Sequence, residues 1–474
     1  MKRETPPINL TRLLADFCAD YALHHQFPES AIRLAELAIV DTAGCILAGV
    51  NDPAVVKIGD TIPDEQSGRS RRSKSVRHAF PVSARDAAAV NGCAAHAREL
   101  DDNVLPAVIH SSAVLTPALF ALGEEIGASG ADIVRAFIVG KEVNAHIGSL
   151  VNPTHYELGW NTNSTIGVFG AAAACATLLK LDSDQIVHAL SLAFSMSSGG
   201  SLQFGSEAKP LHCGMAAEWG VWAARLAQKG FEGNTNVLQG KWSFQELYAG
   251  GKGCAPYHAV LFPDAPLAID AYPPVAKLYP CCGSSHLGID AIRALRARQA
   301  FTLEDIERVD VHMLKIMNET LRYRIPANEK EARFSMPYCA AVTLVDGMPT
   351  LAHFTQRAVT EPEPAVARLL PLVHTHVRDP SPEVLAKRLI FQGDCLVEVH
   401  LRSGEVLKQI AEHPKGCKEN PLTPDERRAK FLDCVREQMD EAGAMQLYGD
   451  LLDLFHLEAI DGITSSFRAM ALTL

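Results

Sequence analysis

A stretch of very small residues in the middle of the chain limits how the protein can fold. Residues 167–181 contain the run Gly170-Ala-Ala-Ala-Ala-Cys-Ala. Such small side chains allow helices to approach closely, so the stretch predicts a central, fully buried helix. A second alanine-rich helix is predicted after Pro210, ending at Gly230. The first two-thirds of the chain is therefore predicted to be a stack of helices.

The pattern changes after about residue 273. Residues 307–313 alternate between apolar and polar side chains, as in a half-buried strand. Residues 396–410 predict two strands joined by a turn at Ser403-Gly404. From Thr423 the sequence becomes helical again, with a favourable cap followed by proline.

These elements predict a mainly α fold with an inserted α+β domain. At 474 residues the chain is too long for one simple core. We expect a large helical domain formed by both chain ends, residues 1–271 and 413–474. Residues 272–412 are expected to form a smaller α+β lid domain.

Composition excludes several classes of partner. The net charge of −11 argues against nucleic acid and against an anionic membrane surface. Residues 1–7 are not followed by the apolar core of a signal peptide, and no apolar run approaches the roughly 20 residues that span a bilayer. The 12 cysteines lack the paired spacing of a zinc site. A cytoplasmic protein with reduced thiols is predicted.

Several partial motifs lack the context that their chemistry requires. Residues 240–241 and 251–252 have neither the upstream glycine nor the following Ser/Thr of a phosphate-binding loop. The glycines of 167–170 do not follow a strand, as a dinucleotide site would require. Residues 206–209 match the S-x-x-K pattern without its companion motifs. His96-x-x-Glu99 has no third ligand at metal spacing. The sequence therefore predicts neither a cofactor nor a metal.

The first candidate site segment is acidic. Glu99, Asp101 and Asp102 precede Asn103 at the end of an alanine-rich helix, where the helix dipole disfavours anions. That cost suggests that the carboxylates fix a cation or move protons, although a solvated helix end would have the same sequence. His110 follows and is a candidate acid or base, with a structural histidine as the alternative.

The second segment surrounds Lys209. Because residues before proline avoid helical geometry and Pro210 suits a first turn, we expect Lys209 at the mouth of a buried helix, with His212 close by. Free backbone N–H groups there favour an anion. A surface lysine next to a helix start is the alternative.

Two further segments contain candidate pocket residues. In one, Lys277 precedes the pair Cys281-Cys282 at a predicted helix start, where Cys282 is expected to have a lowered pKa. In the other, Tyr156, Asn161 and Thr162 lie in a polar loop that leads into the buried helix. The composition of that loop suits a pocket wall, and simple helix capping is the alternative.

Six motifs extend the pattern over nearly the whole chain. They are Asp41-Thr-Ala-Gly-Cys-Ile-Leu-Ala-Gly49, Asn91-Gly-Cys-Ala-Ala-His96, Gly167-x-x-Gly170-Ala-Ala-Ala-Ala, Lys209-Pro-Leu-His212-x-Gly214, Lys277-x-Tyr279-Pro-Cys281 and Asn420-Pro-Leu-Thr423. Their order and spacing resemble the MmgE/PrpD superfamily, which includes 2-methylcitrate dehydratases, cis-aconitate decarboxylases and iminodisuccinate epimerases. The resemblance implies a cofactor-free homodimer with its active site between the two domains. The site residues that it implies are Glu99, Asn103, His110, Asn161, Lys209, Lys277 and Cys282.

The resemblance also implies a small anionic carboxylate as substrate. Asn161 and Cys282 stand where the decarboxylase branch has histidines, so we expect a dehydratase of a hydroxy di- or tricarboxylate such as 2-methylcitrate. An epimerase of a substituted succinate, a cis-aconitate-type decarboxylase and a non-catalytic dimeric scaffold are the alternatives. His110 is the expected acid or base, and Tyr156, Lys209 or Cys282 is its expected counterpart.

Overall fold

The structure is a computed structural model, and its described residues fall in eight ranges. These are 9–24, 26–63, 73–104, 107–250, 260–261, 263–298, 300–380 and 393–468. The fold is mainly α with a small α+β part, as predicted.

Helices from the first half of the chain build most of the larger domain. They are α1 (Leu10–His24), α2 (Glu29–Gly49), α3 (Pro53–Asp60), α4 (Ala84–Ala97), α5 (Ser111–Ile126), α6 (Gly130–Val151), α7 (Thr154–Glu157), α8 (Thr162–Thr165), α9 (Gly167–Leu178), α10 (Ser183–Met196), α11 (Ala208–Gln228), α12 (Phe244–Tyr248) and α13 (Ala268–Ala271).

Helix α9 is the predicted central helix, and every one of its residues is buried. Helices α6, α10 and α11 pack against it. The packing is close enough that a Cβ added at Gly220 of α11 would lie 2.3 Å from the Cβ of Ala171. The small residues are thus required by interhelical contact.

Gly49 has a packing role at the end of α2. It is the last residue of that helix and is buried. A Cβ added there would lie 2.1 Å from the carbonyl oxygen of Ala94 in α4. Gly49 therefore allows α2 and α4 to pack closely.

The α+β domain follows. Its helices are α14 (His286–Arg298), α15 (Lys315–Thr320), α16 (Glu329–Ala332), α17 (Met336–Asp346), α18 (Gln356–Thr360) and α19 (Pro364–Leu369). Its strands are β1 (Ile306–Leu314), β2 (Val373–Arg378), β3 (Cys395–Leu401) and β4 (Val406–Ala411).

The strands form one sheet in the order β2-β1-β3-β4. Strand β1 pairs parallel with β2, with Val309 opposite Val373, and antiparallel with β3, with Val311 opposite Val397. Strands β3 and β4 are the predicted hairpin. Strand β2 was not predicted. One face of the sheet packs on α14 and α17 and forms a second hydrophobic core.

The chain then returns to the helical domain through α20 (Pro424–Val435), α21 (Glu441–Leu452) and α22 (Asp461–Arg468). Thr423 caps α20 as predicted. Lys430 of α20 lies 2.6 Å from Asp41 of α2 and donates to the carbonyl oxygen of Leu100 at 2.8 Å. This buried ammonium ties the end of the chain to the acidic segment.

The hydrophobic cores separate at positions that bracket the predicted domain limits. The first core includes Ile269 and resumes at Phe431, while the second extends from Tyr279 to Leu407. The predicted limits at 271/272 and 412/413 lie in these intervals and remain predictions.

Candidate active site

A cavity of about 1050 Å³, counted to its open mouth, lies between the two domains. Nine of the eleven predicted site residues line it: Glu99, Asn103, His110, Tyr156, Asn161, Thr162, Lys209, Lys277 and Cys282. Segments that are far apart in sequence therefore meet in one place.

Glu99 enters the cavity through an unusual backbone conformation. Helix α4 ends at Ala97, and Glu99 has a φ of 56°. This left-handed region is uncommon for residues other than glycine, and such conformations concentrate at functional sites. The turn places the Glu99 carboxylate beside Lys209.

Lys209 is held by two hydrogen bonds. Its Nζ donates to Glu99 Oε1 and to His96 Nε2. Burial alone would raise the pKa of Glu99, but the neighbouring Lys209, His96 and Lys277 outweigh burial and lower it. Lys209 is the second residue of α11 and is followed by Pro210, so it lies in the first turn, at the mouth of this helix.

Asp101 lies behind this pair and contacts two histidines. Its Oδ2 is 2.9 Å from His96 Nδ1 and 2.9 Å from His110 Nδ1, and the two rings are 4.6 Å apart. Burial would raise the pKa of Asp101, but His96, His110 and Lys277 lower it well below its ordinary value. Asp101 thus remains a carboxylate that accepts a hydrogen bond from His96 and lies within ion-pair distance of His110.

His110 is one of the histidines that line the cavity. Its backbone N–H donates to Asn163 Oδ1 at 2.9 Å, which fixes the start of α5. Its Nδ1 lies 2.9 Å from Asp101 Oδ2, so Nε2 is the ring nitrogen on the side away from that carboxylate. Burial lowers the pKa of His110 to about 4 despite Asp101. The ring is therefore neutral at neutral pH and able to accept a proton.

Lys277 has a different environment from Lys209. Its Nζ lies 3.5 Å from Glu99 Oε2 and 3.8 Å from Asp101 Oδ1. Within the described part of the chain this buried Nζ has no hydrogen-bond partner. Burial would lower the pKa of Lys277, but Asp101 and Glu99 raise it. Lys277 is a protonated cation with donors available to a ligand.

Cys282 reaches the cavity from the α+β domain, just before the 3-10 turn Gly283–Ser285. Its backbone N–H donates to the carbonyl oxygen of Arg333 at 2.9 Å. Burial and the Glu99 carboxylate raise the pKa of Cys282, partly offset by Ser284 and Lys277. The expected lowering of its pKa is wrong, because the adjacent carboxylate and burial outweigh the helix start and the lysine.

The polar loop contributes three residues. Burial raises the pKa of the Tyr156 hydroxyl, which stays protonated. Asn161 caps α8, yet its Nδ2 is buried without a hydrogen bond to any described residue. Thr162 Oγ1 donates to the carbonyl oxygen of Val108 at 2.5 Å. Capping and pocket lining, treated as alternatives above, therefore occur together in this loop.

Asn103 lies where the two domains meet. Its backbone N–H donates to the carbonyl oxygen of Val275 at 3.0 Å. Its side-chain Oδ1 lines the cavity and has no hydrogen-bond partner among the residues described.

Two predicted binding residues do not line the cavity. Asp102 accepts a hydrogen bond from Ser112 at 2.5 Å and lies 3.9 Å from Lys141 Nζ, on the far side of the acidic segment. Burial raises the pKa of Asp102. His212 is buried with its Nε2 close to Gly199.

The sequence predictions missed His96, Asp101 and Asn163 as site residues. His96 was considered only as a metal ligand, and Asp101 only as a member of the acidic cluster. His96, Asp101 and His110 offer donor atoms within 4.8 Å of one another, as a metal site would. Here the donors already contact each other and the Lys209 ammonium.

Comparisons with known proteins identify the family of the chain. Models of the MmgE/PrpD N-terminal and C-terminal domains match residues 12–256 and 279–452. The chain belongs to the MmgE/PrpD family. In the described residues of this MmgE/PrpD protein, no helix is both long and apolar enough to cross a membrane.

Curated relatives of this MmgE/PrpD protein are named for one activity. Cis-aconitate decarboxylase of Homo sapiens is 30% identical over 359 residues, covering 73% of this chain and 71% of the relative. Cis-aconitate decarboxylase of Aspergillus terreus (strain NIH 2624 / FGSC A1156) is 27% identical over 459 residues, covering 91% of each. A cis-aconitate decarboxylase-like protein, oryM, of Aspergillus oryzae is 25% identical over 474 residues, covering 95% of each.

Proposed function

We propose that the protein is a cofactor-independent lyase that removes water from a small hydroxy di- or tricarboxylate, such as 2-methylcitrate. The observation that carries this proposal is the position of His110. Its ring is held neutral by burial, with Nδ1 2.9 Å from Asp101, in a cavity that also contains the Lys277 ammonium, which has no hydrogen-bond partner among the described residues.

The reaction begins with a carboxylate of the substrate on Lys277. The ammonium lowers the cost of negative charge on the adjacent carbon. His110 Nε2 then removes the proton from that carbon, and the electron pair of the C–H bond forms the new double bond. The neighbouring C–O bond breaks, and the hydroxyl leaves as water after accepting a proton.

Tyr156 and Cys282 are the candidate acids for the departing hydroxyl. Both line the cavity, and both have a raised pKa, so each carries its proton at neutral pH. Asn161 Nδ2 is a donor for a second carboxylate. Lys209 is assigned to positioning Glu99, since its ammonium is already hydrogen-bonded.

Decarboxylation of a cis-aconitate-type substrate is the second candidate, favoured by the names of the relatives. That reaction requires a protonated acid at the carbon that loses CO2. Because burial keeps His110 neutral, the ring can take a proton from carbon, as elimination of water requires, but has no extra proton to donate to the carbon that loses CO2.

Proton NMR in D2O tests the proposal. The purified protein is incubated with 2-methylcitrate, citrate and cis-aconitate, beside the His110→Gln variant as control. A new alkene signal from a hydroxy acid, absent in the control, supports dehydration. If cis-aconitate loses CO2 and none of the hydroxy acids reacts, the protein is a decarboxylase and the proposed dehydration is wrong. Deuterium entry with only a change of diastereomer would indicate an epimerase. Silence from folded protein over the whole panel would favour a non-catalytic scaffold.

A further inference from the structure

The outer rim of the cavity is formed by the rim loop, residues 412–420, between β4 and α20. Backbone hydrogen bonds fix its shape. The N–H of Cys417 donates to Pro414 O at 3.2 Å, and the N–H of Ala276 donates to Gly416 O at 3.2 Å. The second bond ties the loop to the segment that contains Lys277.

Three side chains of the rim loop bring together different donor atoms. A ring nitrogen of His413, the Sγ of Cys417 and a carboxylate oxygen of Glu419 all lie within 4.8 Å of one another. Cys417 is only 5% exposed, whereas His413 and Glu419 are exposed. Thiolate, imidazole and carboxylate are the ligands that zinc binds in proteins.

We propose that His413, Cys417 and Glu419 form a Zn²⁺ site on the rim of the cavity. Three protein ligands leave one position of a tetrahedral ion open. All three residues line the cavity, so that position is available to water or to a carboxylate inside it. Binding releases the Cys417 thiol proton to solvent, since zinc coordinates the thiolate.

A bound ion would join the two exposed side chains to the buried thiol across the entrance. We therefore expect zinc to restrict entry and inhibit turnover. The inhibitory effect rests on the proposed function, whereas the binding itself does not.

A second cluster, on the open face of the sheet, is a weaker candidate. Asp310, Glu398 and His400 also offer donors within 4.8 Å of one another. Arg308 Nε already lies 2.8 Å from Asp310, and Lys408 pairs with Glu398. These cations oppose a metal ion, and the cluster has no thiolate. It therefore provides a matched control.

Titration of the full chain with Co²⁺, a spectroscopic substitute for zinc, tests the site. We expect a charge-transfer band from thiolate sulfur to cobalt in the wild-type protein, and its loss in Cys417→Ser. In a chelator competition, Cys417→Ser and His413→Ala should each weaken Zn²⁺ binding by at least about tenfold. His400→Ala should leave both signals unchanged.

A band that survives in Cys417→Ser would overturn the proposal, as would loss of binding in His400→Ala alone. Because His413 and Glu419 are exposed, His413→Ala and Glu419→Gln keep the test valid if Cys417→Ser fails to fold. Zinc should inhibit turnover in the wild type and not in His413→Ala. If no turnover is found with any substrate, the spectroscopic result still decides the metal site.

Discussion

The lysines on two opposite walls of the cavity, Lys209 and Lys277, differ in their hydrogen bonds. On the helical wall, the Lys209 ammonium donates to Glu99 and to His96. On the opposite wall, Lys277, from the segment between the two hydrophobic cores, lies 3.5 Å from Glu99 with no hydrogen bond to any described residue. Two buried lysines near one carboxylate therefore have different roles. The helical wall is therefore hydrogen-bonded before a ligand arrives. The wall that carries Lys277 presents an ammonium whose hydrogen bonds a substrate carboxylate can complete.

The largest expected effect comes from removing the base of the helical wall. His110→Gln should lower kcat by about a hundredfold to ten-thousandfold, the usual contribution of general-base catalysis. Steady-state kinetics measure it, with circular dichroism as the check on folding. A rate within about tenfold of wild type, in a folded variant, would remove His110 from the mechanism.

The next largest effects are expected from replacing Lys209 and Lys277. Lys209→Met leaves Glu99 and His96 buried without their ammonium partner, so the free energy of unfolding should fall by about 3 kcal/mol. Lys277→Met removes no hydrogen bond and should cost less stability, while raising KM at least about tenfold through loss of the carboxylate contact. Urea unfolding and kinetics on both variants make the comparison. Equal losses of stability in Lys209→Met and Lys277→Met would show that the two lysines stabilise the fold to the same extent.

Lowering the pH should destabilise the helical domain first. Burial lowers the pKa of His110, His155 and His212 to about 4 from 6.5. Between these values the unfolded chain binds protons that the folded protein excludes, so stability is lost as the pH falls from 6.5 towards 4. Glu99 and Asp101, with lowered pKa values, lose their contribution at lower pH.

Each of these histidines contributes a slope of up to about 1.4 kcal/mol per pH unit. His110→Gln should remove one such contribution between pH 6.5 and 5, as measured by urea unfolding at several pH values. An unchanged slope would mean that His110 is not held neutral in the folded protein.

Short-range features of the fold were predictable from the sequence. The Thr423 cap, the turn at Ser403-Gly404 and the buried Gly-Ala helix each depend on a few adjacent residues. Strand β2 was missed because its sequence, His-Thr-His-Val-Arg after Val373, is polar and half exposed. It becomes a strand by pairing with β1, which lies far away in the chain.

The residues of the candidate site were likewise predictable only in part. Residues with acid, base or cationic side chains were found because they cluster in four short segments. Their partners were not, since partnership depends on tertiary structure: His96 contacts Lys209 across 113 positions. The raised pKa of Cys282 was missed for the same reason, because Glu99 comes from the other domain.

The smallest effect is expected at His212, which the sequence motif placed in the site and the structure places outside the cavity lining. His212 lies on the same helix as Lys209, and its ring packs near Gly199. His212→Gln should therefore leave kcat/KM within about threefold of wild type, well below the loss expected for a group that transfers protons. Kinetics beside His110→Gln provide the test, because both substitutions replace a histidine with the same amide. A large loss at His212 would show that the helical wall extends one turn further along α11 than the cavity lining indicates.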